Sequence, residues 1–207
     1  MTAGPLPRRA LLAALVVAAW PVGAGAEETP ASAPTLAPFK AAAWQVRQGE
    51  WRFGDAGELE CAGRGRSSLL YHATARPRDL DFTVEVMFLG PESSAGIVFR
   101  AAGEPYGRET FYQFEWYTRG THHDRRLSLM VKNPKWKQVV RPTYPEAPYR
   151  RWITLNVRAV GDVIECFVDG KLVFRQRDRT YRRAGRVGLH VWQPRAVKFR
   201  GWRLVEL

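Results

Sequence analysis

Cysteine is scarce in this sequence: 207 residues contain only Cys61 and Cys166. Each lies in a short apolar stretch, Leu-Glu-Cys-Ala and Ile-Glu-Cys-Phe. An oxidising compartment would permit a disulfide between them, but a buried cysteine also packs well as a small hydrophobic residue. We favour two separate core thiols. No histidine forms a paired motif with either cysteine, which argues against a cysteine nucleophile.

Long hydrophobic runs are also absent, since the apolar stretch Ala10–Trp20 is too short to anchor the chain in a bilayer. Arg8-Arg9 precede it and Ala24-Gly25-Ala26 follow it, which is the order of a secretory signal and its cleavage site. We therefore predict a signal peptide over residues 1–26 and export to the periplasm or the extracellular space. Arg8-Arg9 match a twin-arginine signal only weakly. A lipid anchor would need a cysteine near the cleavage site, and the sequence has none there. No stable membrane anchor is therefore expected.

Acidic residues are outnumbered: 32 Lys and Arg stand against 20 Asp and Glu, a formal net charge of +12. A surplus of this size suits a polyanionic partner such as an acidic glycan, a lipid headgroup or a nucleic acid. The basic residues are spread along the chain, however, in groups little longer than Arg182-Arg183. We therefore expect a generally basic, solvated surface, and export argues against a nucleic-acid partner.

Internal repeats are absent as well. Residues 27–43 are rich in Ala, Pro, Thr and Glu and have no hydrophobic periodicity, which predicts a flexible linker. Residues 44–207 remain as a single domain that is long enough to bury a substantial core.

Short alternating stretches with tight turns fill the C-terminal half. In Val160–Phe174, Gly161-Asp162 and Asp169-Gly170 mark two turns. Asp-Gly between alternating apolar runs is a strong hairpin signal, because both turn residues need a positive φ. Further strands are predicted at Trp152–Val160, Gly185–Trp192 and Val197–Val205. Such a series of antiparallel strands predicts an all-β sandwich of two packed sheets.

Each predicted strand divides into an apolar face and a second face of mixed character. The second faces carry carboxylates, amides and cations beside aromatic rings: Glu85, Arg100, Gln113, Glu115, Tyr117, Asn156, His190 and Trp192. Carboxylates and amides bind hydroxyl groups, and aromatic rings stack on C–H faces, so this mixture suits a sugar. An ordinary half-wet outer face is the alternative interpretation.

Several segments resemble one family of carbohydrate-active proteins. Ser94–Arg100 is similar to the Asn-Ser-Gly-Ile-x-x-Arg strand of the 3-keto-disaccharide hydrolase-like family, also described as 3-keto-glucoside 1,2-lyases and 3-keto-2-hydroxyglucal hydratases. Further motifs of that family resemble Trp44–Val46 with Gly49–Trp51, Trp152–Val157 with Val168–Lys171, and Gly185–Leu189 with Val197–Arg200. The resemblance covers residues 44–207.

The resemblance implies a concanavalin A-like jelly roll, in which two antiparallel sheets pack together and a sugar binds on the concave face. It also implies action on 3-keto sugars. There a base removes the acidic C2 proton, an electrophile stabilises the enolate, and the glycosidic oxygen leaves C1. Glu115 or His190 is the candidate base and Arg100 the candidate enolate ligand, although Arg100 and Glu115 also suit a cross-strand ion pair.

Other candidate site residues are polar or aromatic. The substrate-binding candidates are Glu85, Gln113, Tyr117, Trp136, Asn156 and Trp192. His122 and Asp124 are candidate ligands of a divalent metal, which would suit an enolate, but without a third spaced ligand a polar loop tip is favoured. The chain lacks the Glu-x-Asp-x-x-Glu strand of retaining glycosidases in this superfamily, which argues against that reaction.

Three functions therefore remain open. The first is a 3-keto-glycoside lyase or hydratase, and the second is a non-catalytic module that binds a glycan through Arg100, Tyr117, Trp136 and Trp192. The third is an envelope-associated interaction domain that uses the basic surface. Phe111–Tyr117 departs from the family's Tyr-Glu-x-Gln-Ile-x-Asp pattern, which favours the second function more than an intact motif would.

Overall fold

The computed structural model describes residues 35–62, 67–103, 108–118, 127–133, 135–142, 144–192 and 197–207. Within them the chain forms one short 3-10 helix, Ala41–Ala43, and fourteen strands. The strands are β1 (Trp44–Gln48), β2 (Trp51–Phe53), β3 (Glu58–Cys61), β4 (Ser67–His72), β5 (Leu80–Phe88), β6 (Ser94–Ala102), β7 (Thr110–Tyr117), β8 (Leu127–Asn133), β9 (Lys135–Val140), β10 (Ile153–Val160), β11 (Val163–Val168), β12 (Lys171–Arg177), β13 (Arg186–Trp192) and β14 (Val197–Glu206). No helix in this part of the chain has the length and apolar character needed to cross a bilayer.

Antiparallel pairing arranges these strands in two seven-stranded sheets. Sheet I has the order β1-β4-β13-β6-β7-β8-β9, and sheet II has the order β12-β11-β10-β5-β14-β3-β2. Strands that are distant in sequence lie side by side in both sheets, as β13 does with β6 and β14 with β5. The predicted all-β sandwich of two antiparallel sheets is confirmed.

The apolar faces of the two sheets meet in one core. Alternate residues of β5 (Phe82, Val84, Val86) and of β7 (Tyr112, Phe114) are fully buried in it. Each aliphatic or aromatic side chain buried in this way stabilises the fold by about 1.5–3 kcal/mol. The opposite side of sheet I, turned away from sheet II, is called here the outer face of sheet I. It carries a small apolar cluster of its own, made by Leu69, Tyr71, Val98, Ala101 and Phe111.

The predicted double turn of Val160–Phe174 is confirmed. Gly161 and Asp162 connect β10 to β11, and Asp169 and Gly170 connect β11 to β12. Asp169 and Gly170 have φ angles of 48° and 74°, the positive values that this turn requires. The Asp169 carboxylate also accepts a hydrogen bond from the Thr154 amide at 2.9 Å.

The sandwich begins before residue 44, within the stretch of residues 27–43 that the sequence predicts to be a linker. Phe39 is only 2% exposed and packs on Trp44 with a distance of 5.2 Å between ring centroids. Ala37 exchanges two backbone hydrogen bonds with Trp202 of β14, at 2.7 and 2.9 Å. Residues 35–43 therefore belong to the domain; one buried ring and one bridge leave no periodic pattern in the sequence. The predicted signal peptide (residues 1–26) and residues 27–34 lie outside the described residues.

Cys61 and Cys166 are both buried in sheet II and form no disulfide with each other. Cys61 lies in β3 and Cys166 in β11, with β10, β5 and β14 between them. Neighbouring strands lie about 4.8 Å apart, whereas a disulfide needs Cα atoms within roughly 7 Å, so the two residues are too far apart to pair. Burial also raises the pKa of the Cys166 thiol well above its usual value.

Candidate functional site

Buried polar side chains gather at the centre of the outer face of sheet I. Glu115 belongs to β7 and His190 to β13, and β6 runs between these two strands. Gly96 of β6 is the register partner of both residues. The row therefore contains a position without a side chain between a carboxylate and an imidazole. Six residues of this region are called here the Glu115 cluster: Ser67, Ser94, Gln113, Glu115, Tyr117 and His190.

The Glu115 carboxylate is the hydrogen-bond centre of this cluster. Its Oε2 atom accepts from Ser94 Oγ at 3.0 Å and from Gln113 Nε2, and its Oε1 atom accepts from the Tyr117 hydroxyl. Glu115 is only 3% exposed. Three donors on a buried carboxylate fix its orientation. A carboxylate that is held in one orientation and shielded from bulk water is able to act as a base.

His190 is a neutral member of the cluster. The Gln113 amide donates from Nε2 to His190 Nδ1 at 2.8 Å, which leaves the ring proton on Nε2. His190 Nε2 then donates to Ser67 Oγ, also at 2.8 Å. Burial, assisted by the positive charge of Lys132, lowers the pKa of His190 to about 3. The imidazole therefore stays neutral at physiological pH and holds Gln113 in place.

Two oxygen atoms beside Glu115 are left without a partner. Gln113 Oε1 and Ser128 Oγ are buried and have no hydrogen-bond partner among the described residues. Ser128 of β8 is the register partner of Glu115. Each unsatisfied buried polar atom costs about 1–3 kcal/mol, so these two oxygens are an energetic cost of the polar cluster.

An exposed aromatic ring lies next to these buried polar groups. Trp136 of the edge strand β9 is 45% exposed. Its ring centroid lies 6.1 Å from that of His190 and 5.5 Å from that of Phe111. Trp192 shares the strand face of His190, two residues further along β13. An accessible indole beside polar hydrogen-bonding groups can stack on one face of a sugar ring while its hydroxyls reach the cluster.

A buried group of charges borders the same face. The Glu109 carboxylate is fully buried, 3.9 Å from both Arg47 and the Lys132 ammonium. Lys132 also lies over the Phe111 ring, 5.4 Å from its centroid. Burial lowers the pKa of Lys132, and the nearby Glu109 opposes that effect. Because Lys132 also contributes to the low pKa of His190, it is a positive charge close to the Glu115 cluster.

Arg100 lies outside the Glu115 cluster, so its expected position beside Glu115 is wrong. Its φ of 51° and the register shift after Phe99 mark a bulge in β6, which interrupts the alternation of side chains. The guanidinium donates to the backbone oxygens of Arg78 and Tyr181, at 2.9 and 3.0 Å. It also pairs with the Asp79 carboxylate at 3.2 Å.

Glu85 and Asn156 lie on sheet II, so the interpretation that they share a sugar-binding face with Glu115 is wrong. Glu85 accepts a hydrogen bond from Arg200 Nε at 2.9 Å, and both side chains belong to paired positions of β5 and β14. Asn156 donates to the Asp81 carboxylate at 2.6 Å. Alternation correctly directs both side chains away from the core, but it does not reveal to which sheet a strand belongs. The structure thus unites Gln113, Glu115, Tyr117 and His190, with Trp136 and Trp192 adjacent.

The candidate metal ligands His122 and Asp124 lie outside the described residues. Among the residues that the structure describes, no group of three or more His, Cys, Asp or Glu side chains is placed to hold a metal ion.

Residues 35–205 match the family described as a 3-keto-alpha-glucoside-1,2-lyase-like domain. The chain belongs to this family. The match confirms the resemblance seen in the sequence, and it extends over the N-terminal residues 35–43 that pack on the sandwich. No curated protein matches the chain.

Solved structures with a similar fold include a carbohydrate-binding module and a glucanase. A carbohydrate-binding module, CBM66 from Bacillus subtilis, has a TM-score of 0.66 at 15% identity, covering 78% of this chain and 94% of the module. A Bacillus subtilis protein of unknown function with a galectin-like fold has a TM-score of 0.64 at 12% identity, covering 79% and 89%. The beta-glucanase of Bacillus licheniformis has a TM-score of 0.55 at 11% identity, covering 81% and 94%. At these identities the likeness shows a lectin-like jelly-roll fold alone.

The segment that first resembled the 3-keto-glucoside lyase-like family passes through the centre of the site. Ser94 donates to Glu115, Gly96 leaves the space between Glu115 and His190, and Ile97 is buried in the core. Arg100, at the end of the same segment, donates instead to the backbone carbonyls of Arg78 and Tyr181, outside the Glu115 cluster.

Sequence reasoning missed four residues of this region: Ser67, Ser94, Ser128 and Lys132. Alternation within β8 directs Ser128 and Lys132 to the outer face, so a signal was present. Their relevance depends on the pairing of β8 with β7, which the sequence does not reveal.

Proposed function

We propose that the protein is a lyase or hydratase that acts on 3-keto-glycosides at the outer face of sheet I, with Glu115 as the base. The observation that carries this proposal is the buried Glu115 carboxylate, which three donors hold in one orientation beside two unpartnered oxygens. Membership of the 3-keto-glucoside lyase-like family supports it. The setting we propose is the periplasm or the extracellular space, which the sequence predicts from residues 1–26.

The proposed reaction begins at C2, where the C–H bond is acidic because it is adjacent to the C3 ketone. Glu115 takes this proton and the electron pair moves onto the C3 oxygen as an enolate. Collapse of the enolate forms the C1–C2 double bond as the bond from C1 to the glycosidic oxygen breaks. The leaving oxygen takes up a proton from solvent, so the products are an alcohol and a 2-hydroxy-enone sugar. Addition of water across the double bond then yields the free 3-keto sugar.

Negative charge develops on the C3 oxygen during proton removal, and a nearby cation stabilises it. Lys132 replaces Arg100 as the candidate for this role, because it lies over the Phe111 ring on the same outer face of sheet I as Glu115. Neutral His190 positions Gln113, which in turn orients Glu115. His122 and Asp124 remain candidate ligands for a divalent metal, which would supply Lewis-acid chemistry.

The test is release of a chromogenic alcohol from a 3-keto-glucoside, measured with added divalent metal and with chelator. We expect turnover by the wild-type protein and a loss of about a hundredfold or more in kcat for Glu115→Gln, the range that general-base catalysis contributes. Glu115→Asp keeps the carboxylate but shortens the side chain by one methylene group, which moves the base away from the substrate. This variant should fold and still lose most activity. Glu85→Gln removes a carboxylate from sheet II and serves as the matched control, with unchanged kcat.

Absence of alcohol release by folded wild-type protein under both metal conditions would contradict the lyase assignment, as would equal losses in Glu115→Gln and Glu85→Gln. A non-catalytic glycan-binding module is the second candidate, and exposed Trp136 beside His190 favours it. Retention on a glycan column that Trp136→Ala abolishes, without turnover of any 3-keto-glucoside, would support that function instead.

A further inference from the structure

A second concave region of the surface contains a concentration of arginine. This region, called here the arginine cleft, has a volume of about 690 Å³ and lies where the connection from β12 to β13 passes the end of β6. No carboxylate is found among its described lining residues. The polar lining is made by Arg78, Arg100, Arg179, Arg182, Arg183 and Tyr181.

The positive charge of the arginine cleft is only partly compensated. Arg100 pairs with Asp79, and Arg179 shares the Asp162 carboxylate with Arg177. In the described part of the chain, no ion pair is found for the other three arginines of the cleft, which are all exposed: Arg78, Arg182 and Arg183. Cations that are held together without counter-charges favour the binding of an anion.

The backbone beneath these arginines is held in place. The buried Arg100 guanidinium donates to the carbonyls of Arg78 and Tyr181, and so ties together the two walls of the cleft. The Tyr181 amide donates to the Tyr112 hydroxyl at 3.1 Å, and the Tyr181 hydroxyl donates to the Lys132 carbonyl at 2.7 Å. A fixed scaffold reduces the entropy that the arginines lose when they close on a ligand.

We propose that the arginine cleft binds an anionic group, a sulfate ester or a carboxylate, of an acidic carbohydrate. Guanidinium groups bind planar and tetrahedral oxyanions through paired hydrogen bonds, which suits both groups. The arginines converge on one cleft of the size that small ligands occupy, rather than forming the extended stripe that follows a nucleic-acid backbone. The carbohydrate part of the proposal rests on the proposed function, whereas the anion part does not.

The first experiment measures anion binding alone. Thermal unfolding is followed in millimolar sodium sulfate and in sodium chloride of equal ionic strength. We expect sulfate to raise the midpoint of the wild-type protein and to have a smaller effect on Arg182→Gln/Arg183→Gln. Arg52→Gln/Lys171→Gln removes two exposed charges from sheet II and should respond as the wild type does.

The second experiment compares dextran sulfate with unsulfated dextran by titration calorimetry. We expect the wild-type protein to prefer the sulfated polymer and Arg182→Gln/Arg183→Gln to lose about tenfold in affinity, the loss expected from a missing charge-assisted contact. The control pair should keep wild-type affinity. Alcohol release from a neutral 3-keto-glucoside should be unchanged in both variants, so failure of this proposal is separable from failure of the proposed lyase.

Equal losses in the cleft variant and the control variant would overturn the proposal, because they would indicate attraction by net charge alone. A sulfate effect that depends on the cleft, without any preference for dextran sulfate over dextran, would overturn the carbohydrate part and leave a site for a free anion. Cleft-dependent binding of anionic lipid vesicles or of an oligonucleotide, but not of dextran sulfate, would overturn it as well.

Discussion

His190 determines the direction of the hydrogen bonds in the Glu115 cluster. Its Nδ1 atom accepts from Gln113, and its Nε2 atom donates to Ser67. A proton on Nδ1 would face the amide donor of Gln113 and would add a positive charge near Lys132. The cluster therefore depends on a neutral imidazole, which burial favours.

Stability should fall with decreasing pH because of this residue. The folded-state pKa of about 3 lies below the ordinary value of 6.5, so the unfolded chain binds the proton first. The stabilising contribution is complete above pH 6.5 and is lost as the pH falls towards 3, by about 1.4 kcal/mol for each pH unit. Urea unfolding of wild type and His190→Gln at several pH values measures it.

Carboxylates titrate in the same acid range, and Glu109 and Glu115 face this region. The informative quantity is therefore the difference in unfolding free energy between wild type and His190→Gln. This difference should shrink as the pH falls below 6.5. A difference that stays constant between pH 6.5 and about 4 would show that His190 does not stay neutral in the fold.

At the scale of the strand, β6 positions the cluster because Gly96 has no side chain. A Cβ atom at Gly96 would lie 1.9 Å from the Phe114 oxygen and 2.6 Å from Glu115 Cα. Only glycine allows β7 to approach this closely, and the same residue separates Glu115 from His190. The glycine of the family-like segment Ser94–Arg100 is thus required by both the sheet and the site.

Gly96→Ala should separate β6 from β7 and displace Glu115. We expect a loss of about 1–3 kcal/mol in unfolding free energy, typical of overpacking, together with reduced turnover of a 3-keto-glucoside. Urea unfolding and a kcat measurement check this result. Gly54→Ala is the matched control, because its Cβ would meet nothing closer than the Glu58 oxygen at 3.5 Å. Wild-type stability in Gly96→Ala would contradict the packing argument.

Local patterns in the sequence were sufficient to predict many of the strands, among them β10, β13 and β14, and the faces of most of their residues. The turn at Asp169-Gly170 and the shared face of Gln113, Glu115 and Tyr117 follow from residues that are close in sequence. The cluster itself does not: Ser67 and His190 are separated by 123 positions, and strand order brings them together. Arg100 was misplaced because a bulge breaks the alternation on which its prediction depended.

At the scale of the whole molecule, the N-terminal segment closes one side of the sandwich. Phe39 enters the core, its amide donates to the Gly57 carbonyl at 2.9 Å, and Trp202 Nε1 donates to the Pro38 carbonyl at 3.1 Å. These contacts join residues 35–43 to β14 and to the turn before β3. Sequence patterns identified the two-sheet architecture but placed this segment in a linker, because a single buried ring has no periodicity.

Phe39→Ala should destabilise the whole domain. Replacing a buried phenylalanine with alanine costs about 3–5 kcal/mol, whereas the same change in a flexible linker would cost nothing. Urea unfolding of the variant measures the loss, and the exposed neighbour supplies the control as Lys40→Ala. Equal stabilities of the two variants would restore the linker interpretation.

No disulfide bond contributes to the stability of the sandwich, since three strands stand between Cys61 and Cys166. The redox potential of the surroundings therefore does not enter its folding equilibrium. The free energy of folding should therefore be the same in a reducing cytosol as in an oxidising extracellular space. Oxidative folding catalysts have no disulfide bond to form in this chain.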